Sequence, residues 1–196
     1  MKPIHIVGIS GNIRRPSRTH ALVRSIGLAV TKHVEASFRS FDILDAGPGL
    51  GAAFTRESLS SEALAVIKAI EDADALIVGT PVYKGSYTGL FKHLFDFIEP
   101  ATLANRPVLL TATGGGQKHA LVVEHQLRPL FGFFTALTMP IAIYASDSDF
   151  TDYQLSHPAV INRCALAAAQ LADLLARRST NALPIPGSRE LAPSSN

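Results

Sequence analysis

Cysteine occurs once in the 196 residues, as Cys164, which excludes an intrachain disulfide framework and any multi-cysteine zinc site. A lone thiol suits a reduced compartment, so a cytoplasmic location is expected. Charge is also sparse: 17% of residues are charged against 47% hydrophobic, a balance that excludes disorder for the bulk of the chain. Neither sign dominates, because 18 Lys and Arg face 16 Asp and Glu for a net charge of +2, too weak and scattered for a nucleic-acid footprint. Long apolar runs are missing too. The run near the N-terminus, Ile4 to Gly8, is too short for a signal h-region, and no stretch approaches roughly 18 uninterrupted apolar residues. No membrane association is expected. The seven histidines lack metal-ligand spacing: His119 and His125 are six apart, and His5, His20, His33, His93 and His157 stand alone, so no metal is expected.

What is present is an alternation. Short, β-branched runs at Ile4 to Gly8, Glu35 to Asp42, Ala75 to Gly79, Pro107 to Ala112 and Pro140 to Tyr144 predict strands, four of them almost continuously apolar as buried parallel strands are. Helical patterns begin near Ser17, Ser60, Gly89, Lys118 and Pro158, with Ser17 and Ser60 suited to capping and Pro158 to a first turn. Five βα repeats predict a flavodoxin-like, doubly wound α/β fold: a five-stranded parallel sheet in the order 2-1-3-4-5 with helices on both faces. Residues 1–176 read as that one domain. From Arg177 to Asn196 the composition turns to Ser, Asn, Pro and Gly, which reads as a tail.

In such a sheet, ligands sit outside the C-terminal strand ends where the loops after strands 1, 3 and 4 meet. The first loop, Gly8 to His20, is crowded with hydroxyls and guanidinium groups before a helix start, which suits a phosphate monoester. An ordinary polar loop with a capping serine would look similar, and neither a Walker loop nor Gly-x-Gly-x-x-Gly is met. The second, Gly79 to Lys92, sets Pro and Gly turn residues beside Tyr83 and Tyr87, aromatic surface for a flat heterocycle or a shield for the sheet end. The third, Thr111 to Gln117, has three consecutive glycines that permit close approach to backbone, as a plain flexible connection also would.

Pro16-Ser17-Arg18-Thr19, Thr80-Pro81-Val82-Tyr83-Lys84-Gly85-Ser86-Tyr87-Thr88-Gly89 and Ala112-Thr113-Gly114-Gly115 together resemble the NAD(P)H-dependent FMN reductase family. The similarity is greatest to reductase components of two-component alkanesulfonate and methanesulfonate monooxygenase systems, and it runs from about Ile4 to Leu175. The resemblance implies Ser10, Ser17 and Thr19 at an FMN phosphate, with Arg14 or Arg15 supplying charge. It implies Pro81, Val82, Tyr83 and Lys84 against the ring with Ser86 nearby, and Thr113, Gly114, Gly115 and Gln117 completing the pocket. The first loop is longer than the compact form common in the family, so which of Arg14, Arg15 and Arg18 meets phosphate stays open. Sulfonate-linked members carry a π-bulge at a subunit interface in the fourth helix, here Lys118 to Phe134, which would place His125 at that point; the alternative is a polar residue on a helix disturbed by Pro129.

The reaction so implied is hydride transfer from NADPH or NADH to flavin N5, with FMN both substrate and cofactor, no catalytic side chain, and a reduced-flavin-dependent monooxygenase as partner. The alternatives are a flavin-retaining quinone, azo or metal reductase, and a flavodoxin-like electron carrier, the latter disfavoured by a pI near 8.8. A Cys-x5-Arg phosphatase is excluded because Cys164 lies far from the first loop and reads as a buried apolar residue. The apolar segments Leu90 to Ile98 and Leu130 to Phe134 read as core or as a subunit interface, and the resemblance implies a homotetramer, a dimer of dimers.

Overall fold

The computed structural model describes residues 3–180. The main-sheet strands are β1 (Ile4–Ser10), β2 (Ala36–Asp42), β3 (Ala75–Pro81), β4 (Pro107–Gly114), β5 (Leu137–Thr138) and β6 (Ile143–Ser146). All pair in parallel in the order β2-β1-β3-β4, with β5 and β6 both on the far side of β4. That is the predicted flavodoxin-like order, with one correction: the fifth strand, expected over Pro140 to Tyr144, is two pieces, Leu137–Thr138 before Pro140 and Ile143–Ser146, which takes in the last two predicted residues. Pro140 has no N–H to give the ladder, so pairing with Pro107–Val108 stops and resumes at Ile143 against Thr111. β2 alternates between half-buried and exposed positions, as an edge strand open to water on one side does.

Helices α1 (Arg18–Val30) and α6 (Pro158–Thr180) cover one face, while α2 (Pro48–Ala52), α3 (Ser61–Asp72), α4 (Gly89–Asp96) and α5 (Arg128–Phe133) cover the other. Burying Leu22, Val23, Ile26 and Val30 contributes about 1.5–3 kcal/mol per side chain to docking α1. The α1 start lies so close to β3 that a Cβ on Gly79 would fall 2.6 Å from Val23 and 2.7 Å from Thr111. Glycine there is what lets the helix N-terminus reach the switch point. Helix α6 is long and apolar enough to cross a membrane by length and composition, but its Cys164, Ala167, Ala168, Leu171 and Leu175 are buried in the core on the α1 side of the sheet. It also continues through Thr180, past the Arg177 boundary read from composition; the rest of that tail, 181–196, lies outside the described residues.

The segment expected as one helix from Lys118 to Phe134 is broken. A 3-10 turn at Gln117–His119 is followed by a π-helical turn at Val123–Leu127, and only Arg128–Phe133 is α-helical. His125 therefore sits within a π turn, exposed to solvent. Pro129 follows directly on the π turn in an unbroken helical run, so its missing N–H interrupts the helical ladder beside that turn. A small hairpin that the sequence pattern did not reveal follows β6, made of β7 (Phe150–Thr151) and β8 (Gln154–Leu155).

Candidate active site

The first loop is held from beneath by a buried carboxylate. Asp42, at the C-terminal end of β2, is fully buried; its Oδ2 accepts from Asn12 Nδ2 at 2.9 Å and Arg15 Nε at 2.7 Å, and its Oδ1 accepts from Arg15 Nη2 at 2.7 Å. His20 Nδ1 lies 3.3 Å from the same carboxylate. Burial alone raises the Asp42 pKa, but the hydrogen bonds from His20, Arg15 and Asn12 outweigh it and hold the carboxyl well below its ordinary range. Asn12 also receives a 2.5 Å hydrogen bond from the buried Ser10 hydroxyl and donates to Arg14 O at 3.0 Å. Gly11 N donates to Gly79 O at 2.8 Å and Thr88 Oγ1 donates to Gly11 O at 2.8 Å, fastening the loop to β3 and the start of α4.

Ser17 caps α1, its hydroxyl accepting from His20 N at 3.2 Å. The amides of the next two residues have no preceding turn to receive them and remain free for an anion. The second loop is a tight reversal in which Tyr83 and Ser86 exchange backbone hydrogen bonds of 2.9 and 3.2 Å around Lys84 and Gly85, at φ 52° and 84°. Positive φ at both central residues marks a type I′ turn. Val82 N donates to Thr113 O at 2.7 Å, aligning this turn with the third loop. The third loop joins the first through a 2.6 Å bond between the hydroxyls of Thr19 and Thr113.

A cleft of about 250 Å³ opens where the three loops meet. Its first wall comprises Asn12, Arg14, Pro16, Ser17, Arg18 and Thr19; its second is Pro81 to Tyr83; its third is Thr113 to Gly115. Nine of the sequence-derived site residues thus line it: Arg14, Ser17, Thr19, Pro81, Val82, Tyr83, Thr113, Gly114 and Gly115. Five do not. Ser10 is buried against Asn12, Arg15 turns away to Asp42 and to Asp45 Oδ1 at 2.6 Å, and Lys84 is an exposed turn residue off the cleft wall. The Ser86 hydroxyl donates to Gln126 of the π turn at 3.1 Å, and Gln117 Nε2 donates to Ser146 Oγ at 3.3 Å. A Cβ on Gly114 would meet the Tyr144 hydroxyl at 2.5 Å and oblige that ring to shift, whereas Gly115 opens onto free space.

Asn12, Arg18, Asp147 and Tyr153 line the cleft in addition. Asp147 and Tyr153 arrive from beyond the fifth strand, a segment whose approach to the first loop has no local sequence signal. Arg18 Nη1 lies 3.4 Å from Asp147 Oδ1, and its guanidinium carbon sits 5.1 Å from the centroid of the Tyr153 ring. Arg18 Nε is buried with no hydrogen-bond partner among the described residues. An orphaned guanidinium N–H beside a capped helix start fits a phosphate, and the open backbone at Gly115 fits close approach of a flat ring. A larger cavity of about 740 Å³ lies elsewhere, near Phe54, Phe97, Leu130 and Phe133; its cations are already engaged, Arg56 with Glu71 and Lys92 with Asp96.

A doubly wound sheet with an anion-ready helix start and an aromatic-edged turn at its switch point defines a flavodoxin-like mononucleotide-binding protein. More narrowly, the chain belongs to the NADPH-dependent FMN reductase family, whose profile matches residues 4–151. It is 47% identical over 173 residues to an NADH-dependent FMN reductase of Pseudomonas fluorescens (strain Pf0-1), covering 88% of this chain and 92% of that protein. It is 45% identical to an FMN reductase (NADPH) of Pseudomonas aeruginosa (strain PAO1), over 90% of this chain and 95% of the other. Among solved structures, an oxidoreductase from Corynebacterium diphtheriae superposes with a TM-score of 0.81 at 32% identity, covering 89% of this chain and 98% of that one. The chain is thus an NAD(P)H:FMN oxidoreductase, as the motifs in its three loops implied.

Proposed function

We propose that the cleft at the switch point holds FMN, with its phosphate at the α1 start and its ring against the second and third loops. Ser17, the free amides of the first turn, Arg14 and Arg18 take the phosphate; Pro81, Val82 and Tyr83 support the ring, and Thr113 to Gly115 close its far edge. The orphaned Nε of Arg18 in this cleft is the observation that carries the reading. FMN, when bound, accepts a hydride from the nicotinamide at its N5 position. The chain's own share is orientation, since no acid-base dyad lines the cleft. At about 250 Å³ the cleft is smaller than the roughly 300–1,000 Å³ of sites that enclose a ligand, so a flavin seated there keeps part of its surface outside it.

Reduced FMN then serves a flavin-dependent sulfonate monooxygenase. The π turn at Val123–Leu127 supports this, because the resemblance to sulfonate-linked reductases implied a π-bulge in this helix. The same turn, with His125 exposed on it, and the exposed Phe54 and Phe133 support a homotetramer. A cytoplasmic setting is supported by a lone, buried thiol. The test is the initial rate of NADPH and of NADH oxidation as FMN is titrated into flavin-stripped protein. Saturable dependence on FMN with reduced flavin released is expected; a rate that needs a quinone or dye despite retained FMN would overturn the reading.

A further inference from the structure

The phosphate end of the cleft contains a group that a tight phosphate site would exclude. Asp147 lines the same cleft as Arg14, Ser17 and Arg18, and its carboxylate already pairs with the Arg18 guanidinium at 3.4 Å. Its place is fixed from behind: Asp149, buried, accepts from Ser146 N at 2.6 Å and from Ser146 Oγ at 2.8 Å, closing the 3-10 turn that carries Asp147. The Asp149 carbonyl in turn accepts from Ser156 and His157 amides at 2.9 and 3.1 Å. The Tyr153 ring confines the same guanidinium from the β7–β8 hairpin.

Resting on the proposed FMN site, we infer that Asp147 is an affinity-setting residue: a built-in competitor anion that shares Arg18 with the flavin phosphate and keeps FMN exchangeable. A bound phosphate of charge near −2 must draw Arg18 away from Asp147 or lie beside an uncompensated carboxylate. Either course lowers affinity for FMN and leaves riboflavin, which has no phosphate, unaffected. The effect is modest because Asp147 is half exposed, with 54% of its side chain open to screening water. For an enzyme whose reduced product departs, that loss of affinity is useful, since product release limits many turnovers.

The experiment measures dissociation constants for FMN and riboflavin by flavin fluorescence on the full-length, flavin-stripped protein. Asp147→Asn is expected to tighten FMN about three- to tenfold, to leave riboflavin within about twofold, and to slow FMN dissociation, with the gain shrinking in high salt. Asp152→Asn removes the same charge from the tip of the β7–β8 hairpin that follows the Asp147 turn, at φ 47° where Asn is well tolerated, and is expected to change neither constant. Unchanged or weakened FMN binding in Asp147→Asn would overturn the inference, as would equal tightening in Asp152→Asn. Should Asp147→Asn fail to fold, Asp147→Ser makes the same test. Equal wild-type affinity for FMN and riboflavin, unmoved by Ser17→Ala, would instead remove the phosphate site itself and the inference with it. A preference for FMN that Ser17→Ala weakens, with no tightening by Asp147→Asn, leaves the site standing and rejects only the role of Asp147.

Discussion

Asp42 shows how much a single buried carboxylate organises. It reaches the first loop at two points, Asn12 and Arg15, and α1 at His20, so its removal leaves several donors without an acceptor. Asp42→Ala is expected to cost roughly 2–4 kcal/mol in urea unfolding at pH 7. Because the folded pKa is lowered, this stabilisation is present above the unfolded value of about 3.9 and is lost as pH falls below it toward the folded pKa. Wild type and variant should therefore converge in stability as the pH is lowered below about 4; a constant gap down to the acid limit would show that the carboxylate's charge is not what holds the loop. Cys164 provides a second check at this scale. Burial pushes its thiol up to about 12, so native protein should resist alkylation at pH 8 while urea-unfolded protein reacts at once. Rapid labelling of native protein would contradict the packing of α6.

Among the elements, the Tyr83 to Ser86 turn is the one whose geometry bears most directly on the flavin ring. Gly85 has φ 84° with nothing within 4 Å of a would-be Cβ, so substitution there is opposed by backbone strain rather than by crowding. Gly85→Ala costs about 1–2 kcal/mol, and is expected to raise the KM for FMN about three- to tenfold while kcat at saturating FMN is retained. Lys84→Asn, suited to φ 52°, should leave both constants near wild type. If Gly85→Ala changed thermal stability alone, the turn would be scaffold and not ring support. The π turn connects to the same place, because the Ser86 hydroxyl donates to Gln126. This link was not legible in the sequence: His125 and Pro129 marked a disturbed helix, but which side chain of a bulged turn meets the second loop depends on how α5 docks on the sheet.

For the whole molecule, ligand and subunit contacts should both appear in stability. FMN at about 100 times its dissociation constant adds roughly 2.7 kcal/mol by mass action, and riboflavin at the same concentration should add less. Equal stabilisation by the two would argue against any phosphate contact. Phe54 and Phe133, 94% and 72% exposed, stand beside the 740 Å³ cavity and leave apolar surface that a monomer has no reason to keep. Phe133→Glu is expected to shift the sedimentation of a tetramer toward smaller species, and a wild-type chain that sediments as a monomer at micromolar concentration would sink the tetramer. Most of the apolar excess in Leu90 to Ile98 and Leu130 to Phe134 is nevertheless ordinary core, since Phe91, Leu94, Phe95, Ile98, Phe131 and Phe134 are buried within the chain.

Alternation of apolar strands with capped helices was enough to determine the sheet order, the helices on both faces and the three loops that meet at its switch point. Those signals are local: periodicity, caps and turn residues act over a few positions, and parallel crossovers have one hand. Nine residues of the cleft wall followed from them and from the family motifs. Which arginine faces the cleft did not, because Arg14, Arg15 and Arg18 are chemically alike and only the carboxylates brought up by β2 and by the segment after β6 sort them. Arg15 is drawn to Asp42 and Asp45, and Arg18 is left between Asp147 and Tyr153. Pairings between residues 27 to more than 100 positions apart are set by packing of whole elements, and they exist only once the sheet has closed.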